Sequence, residues 1–217
     1  MHSDQSQPDP SRSYRTLALG TRSVAETEVR RSRFLAVVRR VPDEPAARAM
    51  IEQLRVTHRD ARHHCSAFIL GPEPSTERSN DDGEPSGTAG KPMLEVLRGQ
   101  GLSDVAAVVV RWFGGTKLGT GGLVRAYAEA VQQALASASL VTRHEVGHYE
   151  LQLSHADAGR VESALRAGEV EVLGVRHGEQ AVLELATNQE AALVSQVREL
   201  TAGAASPTKL GTIWVDG

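Results

Sequence analysis

Two glycine-dense segments constrain this chain most: D-D-G-E-P-S-G-T-A-G-K-P over 81–92 and W-F-G-G-T-K-L-G-T-G-G over 112–122, each running into a helix-like pattern. Glycine admits positive φ and lets another molecule come within contact distance of the backbone, so a pair of such loops reads as a surface built to meet something. Between them, D-V-A-A-V-V-V-R-W-F over 104–113 is apolar on both faces, the mark of a strand central in a sheet. After the second loop, Leu123, Ala126, Tyr127, Ala130, Val131, Ala134 and Leu135 follow the i, i+3, i+4, i+7 rule, which predicts a helix over 122–138 with one buried face.

Upstream, 29–41 contains the strand-like F-L-A-V-V, and 45–56 sets Ala46, Ala49, Met50 and Leu54 on one helical face behind the capping candidate Asp43. Residues 64–70 read as a further strand. Residues 1–19 are mostly polar with two prolines, too little apolar mass to offset ordering entropy, and read as a disordered tail. Residues 139–146 lose periodicity and read as a linker. From 147 to 217 the pattern is strand, helix, strand, strand, helix, strand, the split-βαβ order of a ferredoxin-like domain. The expected class is α+β in two domains, a front domain over 20–138 and a back domain over 147–217.

The net charge of −3 hides an asymmetry: from Gly147 onward there are ten acidic and five basic side chains, which leaves 17 acidic and 19 basic in residues 1–146. Contact with phosphate therefore belongs to the front domain, and neither half has the basic excess of a duplex-DNA binder. One cysteine, Cys65, rules out an intramolecular disulfide, and the first thirty residues lack the apolar stretch of a secretory signal. The longest aliphatic run, 105–110, is far short of the roughly 20 residues that cross a bilayer. The expected setting is cytoplasmic, with no membrane partner.

Known phosphate-loop patterns do not fit. A Walker motif needs glycine at position 85 and Ser or Thr at 92, and both are proline. G-T-G-G-L-V has Val124 where a dinucleotide fingerprint needs its third glycine. No cofactor is expected. A more general anion site survives: amides at 121–124 would point out of the first turn of the 122–138 helix beside Lys117 and Arg125. Gly114, Gly115, Gly119, Gly121 and Gly122, with Lys91, Arg111, Lys117 and Arg125, form the candidate anion- or partner-binding set, and a phosphate or nucleotide is a candidate ligand. The alternative is that the loops are tight turns and Arg125 a solvated face residue.

Asp81, Asp82 and Glu84 form an acidic loop that could serve acid–base or magnesium chemistry, though three carboxylates in a Gly/Pro turn are more often solvated. His58, His63, His64 and Cys65 are the one cluster with metal-ligand chemistry, yet adjacent His63 and His64 on a strand point to opposite faces, and no metal site is expected. His63 and His64 stay as accessory candidates. Cysteine in an apolar strand is inert packing more often than a nucleophile. Trp112 and Phe113 could stack bases or anchor the loop to the core.

With these residues in view, the front domain resembles the IMPACT/YigZ family, whose signature is similar to D-D-G-E-P-S-G-T-A-G-K-P followed by V-V-V-R-W-F-G-G-T-K-L-G-T-G-G-L-V-R-A-Y, with A-R-H-H-C-S-A upstream at 61–67. The resemblance covers about residues 25–138, and the back domain resembles the small module of bacterial members. Trp112 stands where the family usually has Tyr, and Arg62 where it usually has Thr. The resemblance implies a front α/β sandwich like the second domain of small-subunit ribosomal protein five and a back domain like the last domain of elongation factor G. It also implies a non-enzymatic role in translational control, with ribosome, RNA or a translation regulator as partner. The competing expectation is an enzyme acting at the same loops on a phosphorylated small molecule, nucleotide or peptide, since the front fold is shared with small-molecule kinases.

Overall fold

The computed structural model describes residues 12–73 and 76–217, which divide into two compact units, one over 14–142 and one over 143–217 together with the stretch ending at Ser13. In chain order the first unit contains β1 (Ser13–Leu17), β2 (Arg22–Val29), β3 (Ser32–Arg40), α1 (Glu44–Thr57), β4 (His63–Leu70), β5 (Thr76–Asn80), α2 (Gly90–Gly99), β6 (Val105–Trp112) and α3 (Thr120–Ala136). Its sheet runs β2-β3-β6-β4-β5 with every neighbouring pair antiparallel.

β6 is the middle strand, and its doubly apolar sequence is explained by helices on both sides. Val105, Ala107 and Val109 enter a core with α2 and α3, while Ala106, Val108 and Val110 enter a second core with α1. Successive side chains of a strand leave on opposite faces, so one run of aliphatics seals two layers. α1 starts where Asp43 accepts the Ala46 N–H at 2.8 Å, with proline in its first turn. Its packed face differs from the expected one by a partial rotation: Ala47 and Met50 are buried, Ala46 and Leu54 partly so, and Ala49 is exposed.

Two expectations are corrected. Residues 13–17, assigned to a disordered tail, form β1, because Tyr14, Thr16 and Leu17 are buried and the Tyr14 hydroxyl donates to the Asp104 carboxylate. The Ser103 N–H also donates to the Arg15 carbonyl at 2.9 Å. Residues 1–11 of that expected tail lie outside the described residues. The expected linker is instead the first half of a continuous strand, β7 (Leu140–Leu153), which begins in the first unit and ends in the second. Its opening residues, 140–144, are all half-buried and 145–147 are all buried, so neither stretch alternates and no period shows.

β2 and β3 form a hairpin whose two turn residues, Arg30 and Arg31, hold φ of 47° and 64°. Two-residue hairpins favour such turns because their twist matches the strands, but a side chain there costs about 1–2 kcal/mol per residue.

The second unit adds α4 (His155–Arg166), β8 (Glu171–His177), β9 (Ala181–Thr187), α5 (Glu190–Thr201) and β10 (Thr208–Asp216) after β7. This is the expected βαββαβ order, and the strands lie β10-β7-β9-β8, all antiparallel. Tyr149, Leu151 and Leu153 from β7 and Leu183 and Leu185 from β9 pack under Val161, Leu165, Leu193 and Val197 of the two helices. The architecture is α+β in two units. Among the described residues, no helix is long and apolar enough to cross a membrane.

Candidate functional site

Each glycine loop delivers its chain into a helix N-terminus, and the first turn of a helix leaves N–H groups that need an acceptor. At α2 the protein supplies one. Asp81 accepts from the backbone N–H of Gly87 at 2.7 Å, Gly90 at 2.8 Å and Ala89 at 3.0 Å. Burial works against its ionisation, but these three bonds outweigh it, and the carboxyl titrates below the ordinary aspartate range. The loop also needs Gly90 as glycine, since a Cβ there would lie 2.6 Å from the Asn80 backbone.

At α3, among the described residues, no side chain takes that place. Gly119, at φ 73°, precedes Thr120 with no capping side-chain hydrogen bond. A cavity of about 440 Å³ opens there, bordered by Lys117, Leu118, Gly119, Thr120 and Leu123 of the second loop and helix. Glu84 and Pro85 of the first loop, Arg62 and His63 at the start of β4, and Arg111 and Phe113 at the end of β6 complete its wall. The two loops thus share one pocket at one end of the first unit's sheet. Arg62 and Lys117 are exposed, and Phe113 retains 43% of its surface.

Glu84 is the one carboxylate in that wall, and it is already engaged. It is 9% exposed and accepts from Arg111 Nη1 at 2.5 Å and from the Tyr127 hydroxyl at 2.8 Å. Arg111 is 4% exposed; its Nη2 donates to Ser32 Oγ at 3.2 Å, and its Nε has no hydrogen-bond partner. Beneath, the Cys65 thiol donates to the Asp81 carbonyl at 3.0 Å and lies 3.3 Å from the Tyr127 hydroxyl. Burial pushes the pKa of both Cys65 and Tyr127 upward, so both stay protonated at neutral pH.

The candidate residues therefore separate. Gly119, Lys117, Arg111, Glu84 and His63 meet at the pocket, whereas Lys91 on α2 and Arg125 on α3 are exposed outside its wall. Arg111 is a buried partner of Glu84 and not a surface cation. Gly121 and Gly122 lie in the first turn of α3, and a Cβ on Gly121 would meet nothing within 4 Å. Gly115 holds φ 85°, and a Cβ on Gly114 would lie 2.0 Å from the Arg31 carbonyl carbon.

The acidic loop is corrected as well: none of its carboxylates is simply solvated. Asp82 bonds Arg55 at 2.9 Å and the His64 N–H at 2.6 Å, while the His63 Nδ1–H donates to its carbonyl at 2.8 Å. His63 and His64 do face opposite ways, His63 into the pocket and His64 towards His58 O at 3.1 Å in a separate cavity beside α1. Among the described residues no three His, Cys, Asp or Glu side chains converge to hold a metal ion. Trp112 donates to Asp60 at 2.7 Å under the Arg33 guanidinium, so of the aromatic pair it is Phe113 that faces the pocket. Sequence reasoning missed Arg62, whose place in the wall depends on the approach of β4 to a loop some 55 residues later; the one signal was its departure from the family's usual Thr.

Fold and site together define a two-unit α+β protein whose first unit opens a cation-rimmed pocket between two glycine loops. A model of the Impact N-terminal domain matches residues 30–135. The chain is 38% identical over 159 residues to the IMPACT family member YvyE of Bacillus subtilis (strain 168), covering 73% of both proteins. It is 44% identical over 140 residues to the IMPACT family member YigZ of Escherichia coli (strain K12), covering 64% of this chain and 69% of that one. A crystal structure of an hypothetical protein is similar with a TM-score of 0.68 at 32% identity, over 90% of this chain and 96% of that one. The chain belongs to the IMPACT family.

Proposed function

We propose that this protein is a non-enzymatic, cytoplasmic, translation-associated regulator whose first unit binds RNA at the pocket between the two loops. The observation that carries the reading is the contrast between two like loop-to-helix junctions. The first is filled by the Asp81 carboxylate, while the second has no capping side chain among the described residues and opens on a cavity beside Lys117, Arg62 and His63. Uncapped helix amides next to cations favour a negatively charged group. Because Glu84 is neutralised by Arg111, it does not cancel that preference. The family resemblance supports translation as the setting, and the strand order β10-β7-β9-β8 supports reading the second unit as a module like the last domain of elongation factor G.

The groups beneath the pocket favour binding over turnover. Cys65 and Tyr127 are held protonated, and each carboxylate of the first loop is tied to the fold. The test is binding of the full chain to an unstructured oligoribonucleotide across a salt series. Wild-type affinity should fall as salt rises, and Arg62→Ala with Lys117→Ala should shallow the slope by about one unit per lost phosphate contact. Lys91→Ala with Arg125→Ala, outside the wall, should change it less. Salt-independent binding, or equal effects of the two double variants, would defeat the pocket as the contact. Capture from lysate of a partner that survives nuclease would assign the surface to a protein instead.

A further inference from the structure

Phosphate recognition accounts for the cations of the pocket and leaves its apolar residues unexplained. Besides its cations the wall holds Pro85, Leu118, Leu123 and Phe113; the Arg111 guanidinium lies 5.7 Å from the Phe113 ring centroid, and Phe113 presents nearly half its surface to solvent. A half-exposed aromatic beside a cationic rim suits a flat, apolar-faced ligand that carries a charge at its edge. Its volume of about 440 Å³ lies within the range of roughly 300–1,000 Å³ typical of small-ligand pockets.

A second observation lies next to the second loop. The Arg30–Arg31 hairpin tip keeps two exposed arginines at positive φ, where Asn-Gly would sit without strain. That tip is joined to the loop: the Gly114 N–H donates to Ser32 Oγ at 3.2 Å, and Gly114 has room for no side chain against Arg31. Strain retained at a charged tip locked against a pocket loop is explained if the two guanidinium groups are themselves needed there.

Resting on the RNA reading above, we propose that the pocket takes one unstacked base of single-stranded RNA. The base lies on Phe113, its phosphate meets Lys117 and the first turn of α3, and the Arg30–Arg31 tip carries phosphates of adjoining nucleotides. A duplex keeps its bases stacked inside and presents none for insertion, so the site selects single strands.

The experiment measures binding of the full chain to a labelled, unstructured oligoribonucleotide and to the same sequence as a duplex, alongside thermal melting of each variant. The single strand should bind at least about tenfold tighter. Phe113→Ala should weaken it by roughly five- to a hundredfold, within the range for loss of one base–aromatic stack, and Phe113→Trp should restore it. Arg30→Asn with Arg31→Gly should raise the melting temperature while weakening binding and shallowing its salt dependence, a combination that a purely structural turn would not produce. Equal affinity for duplex, or undiminished binding by Phe113→Ala while Arg62→Ala with Lys117→Ala fails, would overturn the base pocket and leave the anion site standing. A turn variant that melts higher and binds as wild type would overturn the role of the tip. Absence of RNA binding by the wild-type chain would overturn both readings.

Discussion

Glu84 meets Arg111 with both side chains almost wholly buried, so the pair should be far costlier to break than to remove. Arg111→Met strands a buried carboxylate and should lower stability by about 3–5 kcal/mol. Adding Glu84→Gln keeps an acceptor for the Tyr127 hydroxyl without the charge and should recover much of that loss, as urea midpoints of the single and double variants would show. Asp81 gives a pH signature. Its pKa in the folded chain lies below the ordinary 3.8, so its stabilisation is present above that value and is lost as pH falls through the lower, folded one. Asp81→Asn should therefore be less stable at pH 7 and show a flatter decline as pH falls below 3.8, read from denaturant midpoints on either side of that value. Neither role was legible in the sequence. The local composition D-D-G-E announces a polar turn, but Arg111 and Tyr127 lie 27 and 43 residues from Glu84, and only the closed sheet brings them to it. His63 and His64 were legible, because a strand fixes the direction of neighbours by parity alone.

Among the elements, β6 and α3 could be read directly since each owes its pattern to packing: a two-faced aliphatic run inside three layers, and a single buried stripe against the sheet. β5 could not. T-E-R-S-N is an edge strand with three exposed residues in five, so little of its sequence answers to the core. β2 is masked similarly by charges alternating on its open side. The second loop lends itself to a paired test. Gly114→Ala forces a Cβ onto the Arg31 backbone and should cost about 1–3 kcal/mol, measured by chemical denaturation. Gly121→Ala meets nothing in the fold and, within a helix, should gain up to about 1 kcal/mol. If RNA approaches the first turn of α3 closely, that same stabilised variant should bind more weakly. Unchanged binding would mean that the approach is not made at Gly121.

At the scale of the molecule, the order of elements in the second unit followed from periodicity, but the place where that unit begins did not. Residues 143–146 look aperiodic because Arg143 and His144 are half-buried and a charged residue, Glu145, is buried beside Val146, yet Arg143, His144, Glu145 and Val146 pair with Asp216, Val215, Trp214 and Ile213 of β10. A fragment over 139–217 should therefore melt cooperatively, and one over 147–217 should melt at lower temperature or not fold, as circular dichroism on heating would report. The same continuity has a consequence for how the chain can be cut. A protease needs several residues of unpaired, extended backbone in its cleft, and the junction at 142 and 143 lies within the hydrogen-bonded ladder of β7. Digestion under native conditions should spare that junction, so the two units, though each has its own core, should not be released from one another by trimming at their boundary.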